Sequence, residues 1–154
     1  MQTYSWDKLN RQQLGRYAEY FAKMEVSRYG LQVFTPEVDD HGIDFVARVK
    51  DGQFWEFQVK SVLKSNYVLL RKSHFQLHPM RFCLLALLHE GVAPDLFLIR
   101  SIEWHNPNSL LNDRDYEGKK SAPEWGITLS AKSRTILDNY AFDSQMEKLL
   151  RESR

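Results

Sequence analysis

The chain has 154 residues, 21 Lys and Arg against 20 Asp and Glu, a formal charge of +1, and 43% hydrophobic residues. That is the length and composition of one folding unit with a sizeable core, which excludes an intrinsically disordered chain and a strongly basic domain, though not charge segregated onto one face. One cysteine excludes an internal disulfide framework and no apolar run approaches a membrane span, so a cytoplasmic protein without membrane contact is expected; the start, MQTYSWDKLN, also lacks the layout of a signal peptide.

The first predicted element is a helix over residues 11–29. Asn10 is suited to cap it, Gln13 stands at capping-box spacing, and Gly30 suits the position beyond its end. Leu14, Ala18, Phe21 and Ala22 form an apolar stripe at helical spacing. Glu19 borders that stripe, where it can edge into a site built over a sheet; Glu25 competes for the role nearly two turns further on. Gly15 costs the helix about 1 kcal/mol relative to alanine, and close packing against a sheet would account for it.

Residues 42–61, GIDFVARVKDGQFWEFQVKS, read as two β-strands about a turn at Asp51-Gly52. On the second strand Trp55, Phe57 and Val59 face one way, and Glu56, Gln58 and Lys60 the other. On the first, Ile43, Phe45, Ala47 and Val49 form the apolar row, and Asp44 lies on the opposite face with Val46 and Arg48. Register decides whether the polar rows meet. A two-residue loop sets Asp44 opposite Val59, on the wrong face. A three-residue loop or an equivalent bulge, with Gly52 in the left-handed region, sets Asp44 opposite Gln58. An acid on one strand, with an amide and an amine two residues apart on the next, can hold a divalent metal ion and a water, the equipment for phosphodiester hydrolysis. Each residue also has an ordinary reading: Asp44 as an edge-strand acid, Gln58 and Lys60 as a solvated strand face, Glu19 as a helix-surface acid, and Glu56 as one half of a cross-strand pair.

Further along, residues 66–70 and 82–88 are predicted strands, the second long and apolar enough to be buried. Residues 95–104 alternate partly and read as another strand; 105–125 read as a long polar loop, 125–130 as a short strand and 144–151 as a terminal helix. Lys64, Arg71, Lys72 and Arg81, interleaved with Tyr67, His74, Phe75 and His78, are candidate phosphate contacts; the alternative is a solvated surface with Tyr67 and Phe75 in the core. Lys119, Lys120, Lys132 and Arg134 are further candidates. One cysteine and no ligand spacing among the histidines argue against zinc, and no glycine-rich phosphate loop is present.

Gly42-Ile43-Asp44 and Gln58-Val59-Lys60 resemble the GxD and QxK motifs of Mrr-like restriction endonucleases, in the PD-(D/E)XK nuclease superfamily variant that carries glutamine for the motif's acid. They are also similar to those of some homing endonucleases and of small nuclease-like domains. As an ordered pattern the resemblance covers roughly residues 10–100. No proline precedes Asp44, and Gln58 stands where an acid is usual. The resemblance implies an α/β restriction-endonuclease-like core, a mixed central β-sheet flanked by helices, with residues 1–154 as a single nuclease-like domain. It implies a metal-dependent endonuclease that hydrolyses phosphodiester bonds of DNA, with Mg2+ or Mn2+ as cofactor. Asp44, Gln58, Lys60 and Glu19 would be the catalytic set. Asp44, Glu19, the side-chain carbonyl of Gln58 and the backbone carbonyl of Val59 would hold the metal, and Lys60 would orient the attacking water. Gln58 would weaken metal binding without removing an oxygen ligand. Cutting a duplex needs two active sites, so double-stranded DNA and a homodimer or larger homo-oligomer are the expected partners. The alternative is a catalytically inactive nuclease-fold domain that binds nucleic acid or a protein.

Overall fold

The computed structural model describes residues 1–38 and 41–153. Helix α1, Arg11–Ser27, begins at the expected capping box: Asn10 accepts the Gln13 N–H and Gln13 accepts the Asn10 N–H, each at 2.8 Å. It ends two residues earlier than the spacing suggested, and Gly30, at φ +77°, turns the chain away. Strands β1 (Gln32–Phe34), β2 (Phe45–Lys50), β3 (Gln53–Val62), β4 (Tyr67–Arg71), β5 (Arg81–Leu87) and β6 (Asp95–Arg100) follow. A 3₁₀ turn at Ser101–His105 leads to β7 (Leu111–Arg114), β8 (Glu124–Thr128), α2 (Ala131–Leu137) and α3 (Phe142–Glu152).

The fold is α/β with a mixed central sheet in the order β1-β2-β3-β5-β6. Its β3–β5 pair is parallel and its other pairs are antiparallel. The expected alternation of β3 divides two cores. Trp55 and Phe57 pack with Phe45, Phe82 and Leu84 beneath Ala18, Ala22 and Val26 of α1 and Phe142, Met146 and Leu149 of α3. Val62, Cys83, Leu85 and Ile99 pack on the opposite face beneath a second sheet, β4-β8-β7, and Leu137 of α2. Strand β5 is buried on both faces, which is why its sequence is an unbroken apolar run rather than an alternation. α1 and α3 therefore flank one face of the sheet, while a small sheet with α2 flanks the other.

Three expectations are corrected. The segment 105–125 is not one long loop: it contains β7 and the start of β8, whose polar outer residues hid a paired hairpin. The strand expected over 95–104 stops at Arg100 and gives way to the 3₁₀ turn that buries Trp104, whose indole N–H donates to the Gly126 carbonyl at 3.0 Å. Gly15 is not there for close packing, because a Cβ at this position would meet nothing within 4 Å. β1 and α2 are too short to have carried a periodic signal. Among the described residues no helix is long and apolar enough to cross a membrane.

Two half-buried tyrosines lock elements together. The Tyr29 hydroxyl donates to Asp143, tying the end of α1 to α3, and the Tyr67 hydroxyl donates to the buried Glu124, tying β4 to β8. Burial, then the bonded carboxylate, pushes both phenols above the ordinary tyrosine range. A raised pKa here means stabilisation that is complete below the unfolded value of about 10 and lost as pH rises through the folded one. The midpoint of thermal unfolding is therefore expected to fall as pH is raised beyond about 10, and spectrophotometric titration should show Tyr29 and Tyr67 ionising after the exposed tyrosines. Tyr67→Phe should flatten part of the alkaline slope.

Candidate active site

The β2–β3 hairpin settles the register by combining the two turn geometries. Lys50 pairs with Gln53 across the two-residue turn Asp51-Gly52, with Gly52 at φ +75°. The register then shifts between Arg48 and Lys50, so Val49 is an extra residue on β2. Beyond it Arg48 pairs with Phe54, Val46 with Glu56, and Phe45 with Phe57. This is the register that the three-residue loop or its equivalent bulge requires. The paired register ends at Phe45↔Phe57, one residue short of Asp44.

At Asp44 the ladder changes character. The Asp44 N–H still donates to the Phe57 carbonyl at 2.8 Å, but its carboxylate Oδ2 accepts the Val59 N–H at 2.6 Å. The side chain thus takes the place of a main-chain acceptor, which holds the carboxylate beside the QVK segment. Gln58 is half-buried, and its Oε1 is a buried oxygen with no hydrogen-bond partner. An unmet buried acceptor costs roughly 1–3 kcal/mol, so its presence here calls for an explanation. Cys83 lies beside Gln58 in the parallel β3–β5 register. Burial pushes its thiol up to about 12, while the charge of Lys60 pulls it down and that of Asp44 raises it further. Both charges thus act on the same buried sulfur, one strand away from Gln58.

Gly42 closes the site on another side. It has φ +76°, and a Cβ there would lie 2.8 Å from both the Cβ and the carbonyl oxygen of His74, and 3.5 Å from Gln58 Nε2. Gly42 therefore lets the chain pass close against His74, near Gln58.

Lys60 lines a cleft of about 820 Å³ between the first turns of α1 and the β3–β4 connection. Lys64 and Arg71, both candidates from the sequence, line it too. So does Arg11, which sequence reasoning missed; its signal was a cation in the first turn of a helix whose apolar face meets the sheet. The other two candidate phosphate contacts lie elsewhere. Lys72 is bound by Asp113 and Asp115 and stacks 4.0 Å over the Trp125 ring. Arg81 holds Glu56 through two bonds of 2.8 and 2.9 Å, so Glu56 is a partner in a cross-strand pair. Glu19 pairs with Arg16 at 3.1 Å and has 18% of its side chain exposed. It lines a neighbouring cleft that shares Arg11 and Gly15 with the first. The structure thus holds the Asp44 carboxylate on the N–H of Val59, the residue after Gln58, and runs Lys60 into the basic cleft, with Glu19 on the wall of the adjoining one.

The oxygen donors at this site are the Asp44 carboxylate, the Gln58 amide and the Val59 carbonyl. They suit a hard ion such as Mg2+, which needs only one or two carboxylates and keeps several waters. The orphaned Gln58 Oε1 is the atom such an ion would satisfy. Among the described residues, no three His, Cys, Asp or Glu side chains are grouped so as to hold a metal.

No family model matches the chain, and no curated protein matches it. Among solved structures, that of a bacterial homing endonuclease, I-Ssp6803I, is similar at 14% identity and a TM-score of 0.45, with 90% of this chain and 98% of that one covered. At that level of likeness the activity of this chain has to be argued from its own residues.

Gly42→Ala is expected to destabilise the protein by about 1–3 kcal/mol, because the left-handed backbone and the contact with His74 both resist a methyl group. The shift would appear in the urea midpoint with the slope unchanged. Gly15→Ala, with open space around it, is the control and should be neutral or stabilising.

Proposed function

We propose that the protein is a metal-dependent endonuclease that hydrolyses phosphodiester bonds, with DNA as its substrate and Asp44, Gln58, Val59 and Lys60 at the reaction centre. The observation that carries this reading is the unsatisfied buried oxygen of Gln58 beside the Asp44 carboxylate, which is itself held by the Val59 N–H. A carboxylate pinned by a main-chain donor, next to an amide oxygen with no protein partner, is a preorganised pair of oxygen ligands. Bound Mg2+ or Mn2+ would polarise a phosphoryl oxygen and lower the pKa of a coordinated water.

The chain's own groups then divide the remaining work. The Lys60 ammonium, two residues along the same strand face, has three donors with which to hold the attacking water and offset charge gathering on the phosphate. Asp44 fixes the negative side of the site. Gln58 contributes an oxygen without a charge, which lowers ion affinity. Glu19 lines the adjoining cleft, paired with Arg16, and would act on the ion through water.

A second reading is favoured by one feature: no three acidic, histidine or cysteine side chains are grouped for a metal among the described residues. That would suit a nuclease-fold domain that binds nucleic acid or a protein without cutting.

Purified protein incubated with supercoiled plasmid, single-stranded DNA or RNA in Mg2+ or Mn2+ is expected to cut at least one of them, and EDTA should stop it. Lys60→Ala should lower the rate by about 10²–10³-fold. Cutting that survives this substitution would sink the assigned site, and no cutting of any substrate would leave the binding domain as the reading. Gln58→Glu restores a charged ligand and should tighten divalent-ion binding on the order of tenfold, measured by calorimetry.

A further inference from the structure

The substrate class of this site is written in what lies at either end of β3. Toward its C-terminal end is the basic cleft. Arg11, Lys60, Lys64 and Arg71 line it with Ser61 and Ser65, and among the described residues no Asp or Glu does. Arg71 stands 4.0 Å from Glu124, whereas Arg11, Lys60 and Lys64 take no part in an ion pair among the described residues. The chain is nearly neutral as a whole, so this concentration is a local segregation of charge. Cations grouped along a cleft neutralise the phosphates of a strand that tracks it.

Toward the N-terminal end of β3, the sheet face that carries Gln58 and Lys60 is open rather than covered by the second sheet. Phe54 and Phe34 lie on it, 39% and 37% exposed. The register Arg48↔Phe54 and Phe34↔Val46 puts both rings and Arg48 on that face. Their centroids are 6.3 Å apart, and the Arg48 guanidinium sits 5.6 Å from one ring and 5.4 Å from the other. Exposed aromatic rings with an arginine on a sheet surface are a platform for stacking unpaired bases.

At about 3.3 Å per residue, Phe54 lies roughly 13 Å before Gln58, and Lys60 roughly 7 Å beyond it. Glu56, which shares this face, is paired with Arg81 at 2.8 Å, and the Asp44 carboxylate is held by the Val59 N–H. We infer that the site takes a single-stranded nucleic-acid segment: its unpaired bases stack on Phe34 and Phe54, and its backbone passes Gln58 and enters the cleft of Arg11, Lys60 and Lys64. This rests on the nuclease reading for the place of cleavage, and on the cleft and the rings for the substrate.

The test is binding, read apart from cutting. Fluorescence anisotropy in EDTA, with a labelled single-stranded oligonucleotide of mixed sequence and the duplex made from it, should show at least tenfold tighter binding of the single strand. Phe54→Ala should weaken single-strand binding several-fold with little change in its salt dependence. Lys64→Ala and Arg11→Ala should each weaken it and lower the slope of log K against log salt by about 0.7. All three positions are at the surface, and unfolding midpoints equal to the parent's establish that each variant folds. Equal or tighter binding of the duplex overturns the inference, as does unchanged binding by the three folded variants. A protein that prefers single strands but cuts nothing in Mg2+ or Mn2+ loses the nuclease reading and keeps this one. A protein that cuts plasmid without preferring single strands does the reverse. A parallel RNA strand identifies which backbone is held.

Discussion

Everything at the candidate site depends on how β2 pairs with β3. The pairing is held by burial: Phe45, Ala47, Trp55 and Phe57 are all at or below 1% exposed, and Phe45 stacks on Phe57 with ring centroids 4.7 Å apart. Full burial of a large apolar side chain is worth about 1.5–3 kcal/mol. A slip of one residue would turn one strand's buried row toward solvent, so the alternative registers are disfavoured by several such terms. The extra residue at Val49 lets a tight turn coexist with this register. Hydrophobic packing on one face of the hairpin thus aligns the polar chemistry on the other. The carboxylate of Asp44 completes the alignment by standing in for a main-chain acceptor opposite Val59.

The electrostatic layout has the same division of labour. Acidic residues away from the site are mostly engaged by neighbours: Asp113 and Asp115 by Lys72, Glu56 by Arg81, Asp95 and Asp138 by Arg134. Exposed pairs of this kind add little stability. Among the described residues, Arg11, Lys60 and Lys64 of the cleft take no part in such a pair, whereas Arg71 stands 4.0 Å from Glu124. A chain whose totals nearly cancel can therefore line one cleft with cations.

How much of this was legible beforehand depended on the kind of signal. The capping box of α1, the alternation of β3 and the apolar run of β5 are local patterns, and each marked its element. The choice between two registers was also legible as a choice, because Asp51-Gly52 restricts the turn; the bulge that resolves it is a tertiary outcome. The second sheet was not legible. β4 and β8 were visible as separate strands, but β7 reads LNDR, and its pairing with β8 depends on burial of Leu110, Leu111 and Ile127 against Trp104, which is non-local. At the site, Asp44, Gln58 and Lys60 stood out because strand parity groups them. Arg11 did not, because its approach to Lys60 is made by a helix docking on the sheet. Lys72 and Arg81 looked equivalent to Lys64 in a list of charges, and only the fold shows that acids occupy them.

The burial of Cys83 has a practical side. It is the single sulfhydryl of the chain, sealed on both faces of β5 and kept protonated at neutral pH. Because the thiolate is the reactive form, native protein should be inert to alkylating reagents. The molecule is therefore a blank background for labelling. A cysteine introduced at any surface point would be the sole attachment site for a fluorophore or spin label, with no need to delete the native residue and disturb the packing beneath Gln58.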